Sequence, residues 1–161
     1  MRRLDRTFTV GRAYEIRVRA RDAAGNYSTW VPVSAPYTAV VVQDSSPSMQ
    51  TRSGAWFRAT GTALSGGSML SSRSRAHWIT RTFTGRAVSW VGVYGPLRGK
   101  AEVWVDGALA TTVNLYRSGT YNRRVVFSKA WRTSGEHTIK IVVVGTVNHP
   151  RVDLDALVVL K

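Results

Sequence analysis

Ala101-Glu102-Val103-Trp104-Val105-Asp106-Gly107-Ala108-Leu109-Ala110-Thr111-Thr112-Val113 decides the fold. Ala101, Val103 and Val105 share one face, while Glu102, Trp104 and Asp106 share the other, the period of two expected of a half-buried strand. Asp106-Gly107 then separates two alternating runs, a tight-hairpin signal because such turns need positive φ at both central residues. Working outward, the same grammar predicts strands over 38–43, 55–60, 67–71, 76–84, 87–94, 101–106, 109–116, 123–131, 137–145 and 152–160. Val, Ile, Thr, Trp, Tyr and Phe dominate these runs, and Tyr94-Gly95-Pro96, Ser118-Gly119, Ser134-Gly135 and His149-Pro150 punctuate them. Residues 45–53 and 61–74 are Ser/Gly-rich and read as loops or short edge strands. No apolar period of 3.6 is sustained, so almost no helix is expected. The fold class is all-β, a sandwich or barrel of short antiparallel strands.

At 161 residues the chain has room for one domain and a fragment. Its 43% hydrophobic content suffices for a core, and no apolar run reaches the length of a membrane-spanning helix. Met1-Arg2-Arg3 is followed by Leu4-Asp5-Arg6-Thr7 rather than by an apolar run, so no signal peptide is expected in this sequence. The absence of cysteine excludes disulfides, thiolate metal sites and a thiol nucleophile. A net charge of +14, carried by 19 arginines and four lysines, favours polyanionic partners such as acidic polysaccharide, an anionic cell-wall polymer such as teichoic acid, nucleic acid or an anionic membrane surface. The basic residues are spread over nearly every strand, which equally suits a soluble, self-repelling surface, and any nucleic-acid binding is expected to be non-specific and salt-sensitive.

Nearer the N-terminus, Tyr14, Ile16, Val18 and Ala20 alternate with Glu15, Arg17, Arg19 and Arg21, and residues 22–26 supply turn chemistry before an extended run over 27–33. This stretch resembles the closing strands of a fibronectin type III module. Such a sandwich needs about 100 residues and seven strands. The expectation is therefore a truncated fibronectin type III-like fragment and linker over 1–36, followed by an independent domain over 37–161.

The second part carries Val41-Val42-Gln43-Asp44, Gly54-Ala55-Trp56, Ser65-Gly66-Gly67-Ser68 and Phe83-Thr84-Gly85-Arg86-Ala87-Val88-Ser89-Trp90-Val91. After these come Gly95-Pro96-Leu97-Arg98-Gly99-Lys100-Ala101, Val105-Asp106-Gly107, Val113-Asn114-Leu115-Tyr116, Gly135-Glu136-His137-Thr138-Ile139 and Val152-Asp153-Leu154-Asp155-Ala156. In this order the pieces resemble a jelly-roll module of actinobacterial secreted proteins, similar to the galactose-binding-like sandwiches that include many carbohydrate-binding modules. The resemblance implies an antiparallel jelly-roll β-sandwich, an extracellular or cell-surface location, and a non-catalytic accessory role beside a catalytic domain of a parent protein. It transfers no particular ligand, since some members of that group only pack against a neighbour.

In an antiparallel sandwich successive connections alternate between two ends. Residues 94–100, 116–122 and 145–151 then fall at one end, and 85–86, 106–108 and 131–136 at the other. The first end gathers Tyr94, Tyr116 and Tyr121, whose rings can stack on a sugar. Arg98, Arg117, Asn122, Asn148, His149 and Arg151 can then hydrogen-bond hydroxyls or carboxylates. The bland alternative is that the tyrosines cap the core and the arginines are solvated. Trp104 is a second candidate, on an outward sheet face, where cross-strand packing is the competing explanation. Trp56 and Trp90 read as core or rim, and Trp78 stays open.

Catalytic chemistry is not expected. His77, His137 and His149 lack ligand spacing, so no zinc site follows. Asp153 and Asp155 share a strand face, but a glycosidase pair normally comes from separate elements flanking the scissile bond, and Asp155 reads instead as a backbone-bonding residue near a strand crossing. Asp44, Asp106 and Asp155 are the carboxylates open to a calcium site, though no acidic loop cluster supplies six to eight oxygens. No cofactor and no metal are expected. Three function classes remain: a module binding glycan or cell-wall polysaccharide, a non-specific polyanion binder, and a structural spacer without ligand.

Overall fold

Asp106 and Gly107 sit at φ of 52° and 82° in the computed structural model, which describes residues 9–33, 35–51 and 56–161. They close a hairpin between β9 (Lys100–Val105) and β10 (Ala108–Asn114), with Val105 opposite Ala108. The other strands are β1 (Ala13–Tyr14), β2 (Arg17–Val18), β3 (Val31–Pro32), β4 (Tyr37–Gln43), β5 (Gln50–Thr51), β6 (Phe57–Thr60) and β7 (Ser68–Ser72). They continue with β8 (Trp78–Tyr94), β11 (Tyr121–Val143), β12 (Val152–Leu154) and β13 (Ala156–Leu160). One three-residue 3₁₀ turn, Ser65–Gly67, precedes β7. The predicted strand start at Ala55, together with Met1–Arg3, Ser34 and residues 52–54, lies outside the described residues.

The largest sheet runs β1-β4-β13-β8-β11-β9-β10, with β5 added to the first half of β8. A smaller one runs β12-β7-β6, and β2 pairs with β3 alone. The turns expected at 85–86 and 131–136 are not breaks in pairing. The predicted strands 76–84 and 87–94 are one strand, β8, and 123–131 and 137–145 are one strand, β11. The ladder persists through the corner, with Ala130 opposite Ala87 and Gly135 opposite Gly85, leaving 131–134 as extra residues on the outer chain. Bulges of this kind let a strand pass from one layer to the other. The buried face switches there: Ile79, Phe83 and Gly85 are buried before the corner, and Val88 and Trp90 after it. Gly85 is required by close approach, since a Cβ would lie 2.5 Å from the Leu160 carbonyl oxygen and 2.7 Å from Val159.

A second difference falls at the C-terminus. The predicted strand 152–160 is divided at Asp155: β12 pairs with β7, whereas β13 lies between β4 and β8. Asp155 donates its backbone N–H to the Val91 carbonyl and accepts the Ser65 N–H on its carboxylate at 2.8 Å, so the crossing is fastened on both sides. One core joins both halves of the large sheet with β12: Trp90, Val88, Val103, Leu115 and Val152 are fully enclosed, with Phe83, Ile139, Ile141 and Leu157 around them.

In the N-terminal segment the Asp22–Asn26 turn forms as expected, the Asp22 carboxylate accepting the Asn26 N–H at 2.8 Å. β1 extends the large sheet by pairing Ala13 with Thr38 and Tyr14 with Tyr37. Ile16, Val18, Val31 and Val33 follow the expected alternation, yet all are exposed, because no second sheet covers them among the described residues. Arg19 packs its guanidinium over Tyr27, 3.8 Å from the ring centroid, and over Trp30 at 4.5 Å.

Candidate functional site

Because β8 and β11 fold over at the corner, both ends of this ribbon return to one pole of the sandwich. Three connections meet there: 95–99, 115–120 and 144–151. Gly95 bridges Tyr116, Arg98 bridges Arg151, and Tyr121 pairs with Tyr94. Gly99 is at the centre, donating to the Arg151 carbonyl at 3.0 Å and accepting the Leu115 N–H at 3.0 Å. The opposite pole holds the corner, where His137 stacks on Trp131 at 3.7 Å and meets Asp106 at 2.8 Å. Desolvation at that turn pulls the Asp106 carboxyl upward, but the Thr138 N–H and His137 together hold it below the ordinary carboxylate range.

The side chains expected at the first pole divide into two groups. Tyr116 and Tyr121 are exposed, at 42% and 47%. The Tyr116 ring tilts against His149 at 4.5 Å, and His149 Nδ1 is 2.6 Å from the Pro96 carbonyl oxygen, which fixes that ring. Tyr94 is half-buried beneath the Arg117 guanidinium, 4.7 Å from its centroid, and Arg117 also donates to the Tyr116 carbonyl at 2.7 Å. Asn148 is exposed on a left-handed turn residue at φ 63°, and Asn122 is half-buried.

Arg98 and Arg151 do not point outward. Arg98 Nε donates to Asp153 Oδ2 at 2.8 Å and Arg151 Nε to Asp153 Oδ1 at 2.6 Å, with side chains only 11% and 14% exposed and Asp153 wholly enclosed. Arg151 also reaches Ser71 Oγ at 2.9 Å, and Ser71 bonds Asp153. These two arginines brace the loops, with their Nε–H groups committed to Asp153. A carboxylate between the buried Val152 and Leu154 was the available signal, because an enclosed charge must be paired.

Trp104 lies on the outward sheet face, half-buried, with its indole N–H donated to Glu102 Oε2 at 3.0 Å. Beside it is a shallow cavity of about 280 Å³ lined by Thr80, Trp104, Gly107, Thr138 and Lys140. Trp56, by contrast, donates its indole N–H to the Trp78 carbonyl and packs on the core.

The acidic residues do not converge as the sequence left open. Asp44 pairs with Arg58 at 2.7 Å and accepts Ser68 Oγ at 2.9 Å, while Asp106 is held at the other end by His137 and Thr138. Among the described residues no group of three or more His, Asp or Glu side chains gathers around a common point. Burial pushes the Asp155 carboxyl above its ordinary value, opposed by the Ser65 N–H and the Arg123 charge. Asp153 and Asp155 are both fully enclosed, so neither can flank a bond of a bound glycan.

No family model matches this chain. One curated relative, the A type blood N-acetyl-alpha-D-galactosamine deacetylase of Flavonifractor plautii, is 40% identical over 74 residues, covering 46% of this chain but 9% of the enzyme. Among solved structures, the CBM36-1 domain of a multidomain xylanase from the hindgut metagenome of Trinervitermes trinervoides superposes with a TM-score of 0.54 at 13% identity, over 77% of this chain and 97% of that domain. A family two carbohydrate esterase from Cellvibrio japonicus gives 0.57 at 14% identity, over 78% of this chain and 34% of the esterase. A two-domain esterase active on acetylated mannans gives 0.58 at 13% identity, over 76% and 36% respectively. The chain thus spans about a third of the length of these esterases. What it shares with all three structures is the fold, an antiparallel all-β jelly roll.

Proposed function

We propose that residues 37–161 form a non-catalytic, glycan-binding accessory module of a longer secreted protein, with its ligand on the tyrosine-bearing pole. One observation supports this reading: the shared fold covers 97% of the CBM36-1 domain but only about a third of each esterase. The exposed Tyr116 and Tyr121 rings supply stacking surfaces, and Arg117, His149 and Asn148 surround them with polar groups. The stretch shared with the deacetylase makes N-acetylgalactosamine-bearing glycans the first ligands to test. A glycan array at physiological salt, with DNA and RNA controls, separates this reading from its rivals. Selective glycan signals support it. Signals from nucleic acid alone would favour diffuse arginine charge, and silence throughout would favour a spacer.

The tyrosine pole has its own test. Replacing Tyr121 with Ala removes an exposed ring that lies over Gly119 and contributes little to the core. Affinity should fall by about 1–3 kcal/mol, by analogy with base stacking, or roughly five- to 150-fold, with the melting temperature nearly unchanged. An unaltered dissociation constant in calorimetry would remove the ligand from this pole.

The fibronectin type III-like segment over residues 1–36 is proposed neither to form an independent domain nor to belong to the core of the jelly roll. Among its described residues only β1 joins the large sheet, and Ile16, Val18, Val31 and Val33 are exposed. Removing residues 1–36 should shift the melting temperature by less than about 5 °C, the equivalent of roughly 1 kcal/mol. A larger drop would make β1 an integral part of the jelly roll.

A further inference from the structure

We infer that the outward face of β8, β11 and β9 is a second ligand site, independent of the tyrosine pole, which takes one sugar ring bearing a carboxylate. Lys140 on β11 is directly opposite Thr80 on β8 and Trp104 on β9. Residues paired in this way project to the same face of a sheet. The three side chains therefore form a continuous row across three strands, and the cavity of about 280 Å³ opens over it. That volume lies just under the roughly 300–1,000 Å³ of small-ligand pockets, enough for one ring rather than a long chain segment.

Each wall offers a different part of such a ring its complement. The indole of Trp104 is held by the bond from its N–H to Glu102, which occupies the acidic neighbour and leaves the ring face as an apolar wall. Thr80 donates its hydroxyl to the Ile139 carbonyl at 2.9 Å, so its oxygen keeps free acceptor capacity for a sugar hydroxyl. Thr138 shares its hydroxyl with Thr82 at 3.3 Å and also lines the cavity. Lys140 supplies the charge. Its ammonium lies 5.4 Å from the Trp78 centroid, and no carboxylate pairs with it among the described residues. A half-buried cation between two tryptophans, without a counter-ion, is matched by an anion from outside, and the net charge of +14 reinforces that attraction. No guanidinium lines the cavity. A single point-charge donor suits a carboxylate better than a sulfate, whose oxygens call for several donors.

The test uses the full chain with three trisaccharide probes: tri-galacturonate, its fully methyl-esterified counterpart, and a sulfated galactan trisaccharide. Binding is read by tryptophan fluorescence and calorimetry. The acid should bind at least about tenfold more tightly than the ester, a difference of roughly 1.4 kcal/mol. Lys140→Met should equalise the two, and Trp104→Ala should weaken the acid roughly five- to 150-fold. Trp104→Phe, which keeps an aromatic wall, should retain most of the binding and guards against a folding artefact in the alanine variant. Tyr121→Ala should leave acid binding unchanged while weakening the neutral glycan at the other pole. The inference is overturned if acid and ester bind alike, if the sulfated probe binds better than the acid, or if no acid binding is measured. It is also overturned if Lys140→Met has no effect, or if Tyr121→Ala abolishes acid binding.

Discussion

Replacing Asp153 with Ala is expected to destabilise the domain by about 3–5 kcal/mol, the cost of breaking a buried ion pair from one side. The carboxylate is fully enclosed and receives Arg98, Arg151 and Ser71, which belong to the 95–99 loop, the 144–151 loop and the small sheet. Alanine removes the shared acceptor and leaves two guanidiniums, only 11% and 14% exposed, facing each other without compensation. Asp153→Asn keeps the shape and part of the hydrogen bonding but loses the charge, so its effect should be intermediate. Replacing Asp153 and Arg98 together with apolar residues of similar volume should cost less than Asp153→Ala, because only the Arg151 guanidinium is then left without its carboxylate rather than two guanidiniums. Urea unfolding measures all three. A cost below about 1 kcal/mol for the alanine variant, the level of an exposed ion pair, would mean that the arginines find water in its absence and do not brace the loops.

That brace also marks where sequence reading stops. Strands such as β9 and β10 are legible because one face is buried and the other is not, and Asp106-Gly107 announces its turn by the φ values it must adopt. The corner in β8 is not. Gly85 reads as a turn residue, but here it answers a close approach by the Leu160 carbonyl from a strand 75 residues away. Nor does the run from Val152 to Leu160 show that Asp155 divides it between two sheets, since both sides are apolar. The two ends of the sandwich were nevertheless recoverable, because the ribbon reverses direction at the corner just as two separate hairpins would. Within the pole, Tyr116 and Tyr121 were readable as exposed turn aromatics. Arg98 and Arg151 were not, because an arginine in a loop looks solvated until its enclosed carboxylate is located in three dimensions. On the sheet face the parity of Trp104 was legible, whereas its partners Lys140 and Thr80 required the pairing register.

Gly99→Ala is expected to destabilise the domain by about 3 kcal/mol, at the upper end of overpacking effects, and to reduce binding at the tyrosine pole further than the loss of stability alone. Gly99 lies outside the left-handed region, so alanine is acceptable to its backbone torsions. The obstacle is space. The new methyl would sit inside the contact shell of the His149 carbonyl oxygen and 2.8 Å from Thr146 Cβ and Oγ1. A carbonyl fixed in a turn cannot swing away as a flexible side chain does, so one loop must retreat from the other. His149 carries the ring that packs on Tyr116, and the displacement therefore passes to the proposed ligand surface. Gly107→Ala is the instructive contrast, because its methyl meets nothing within 4 Å and its difficulty is a φ of 82°. It should cost about 1–2 kcal/mol through backbone strain, with binding at the tyrosine pole unchanged. Chemical denaturation paired with glycan titration resolves the two effects. If Gly99→Ala is as stable as the parent and binds equally well, the three loops are not seated on one another, and the pole is not a preformed surface.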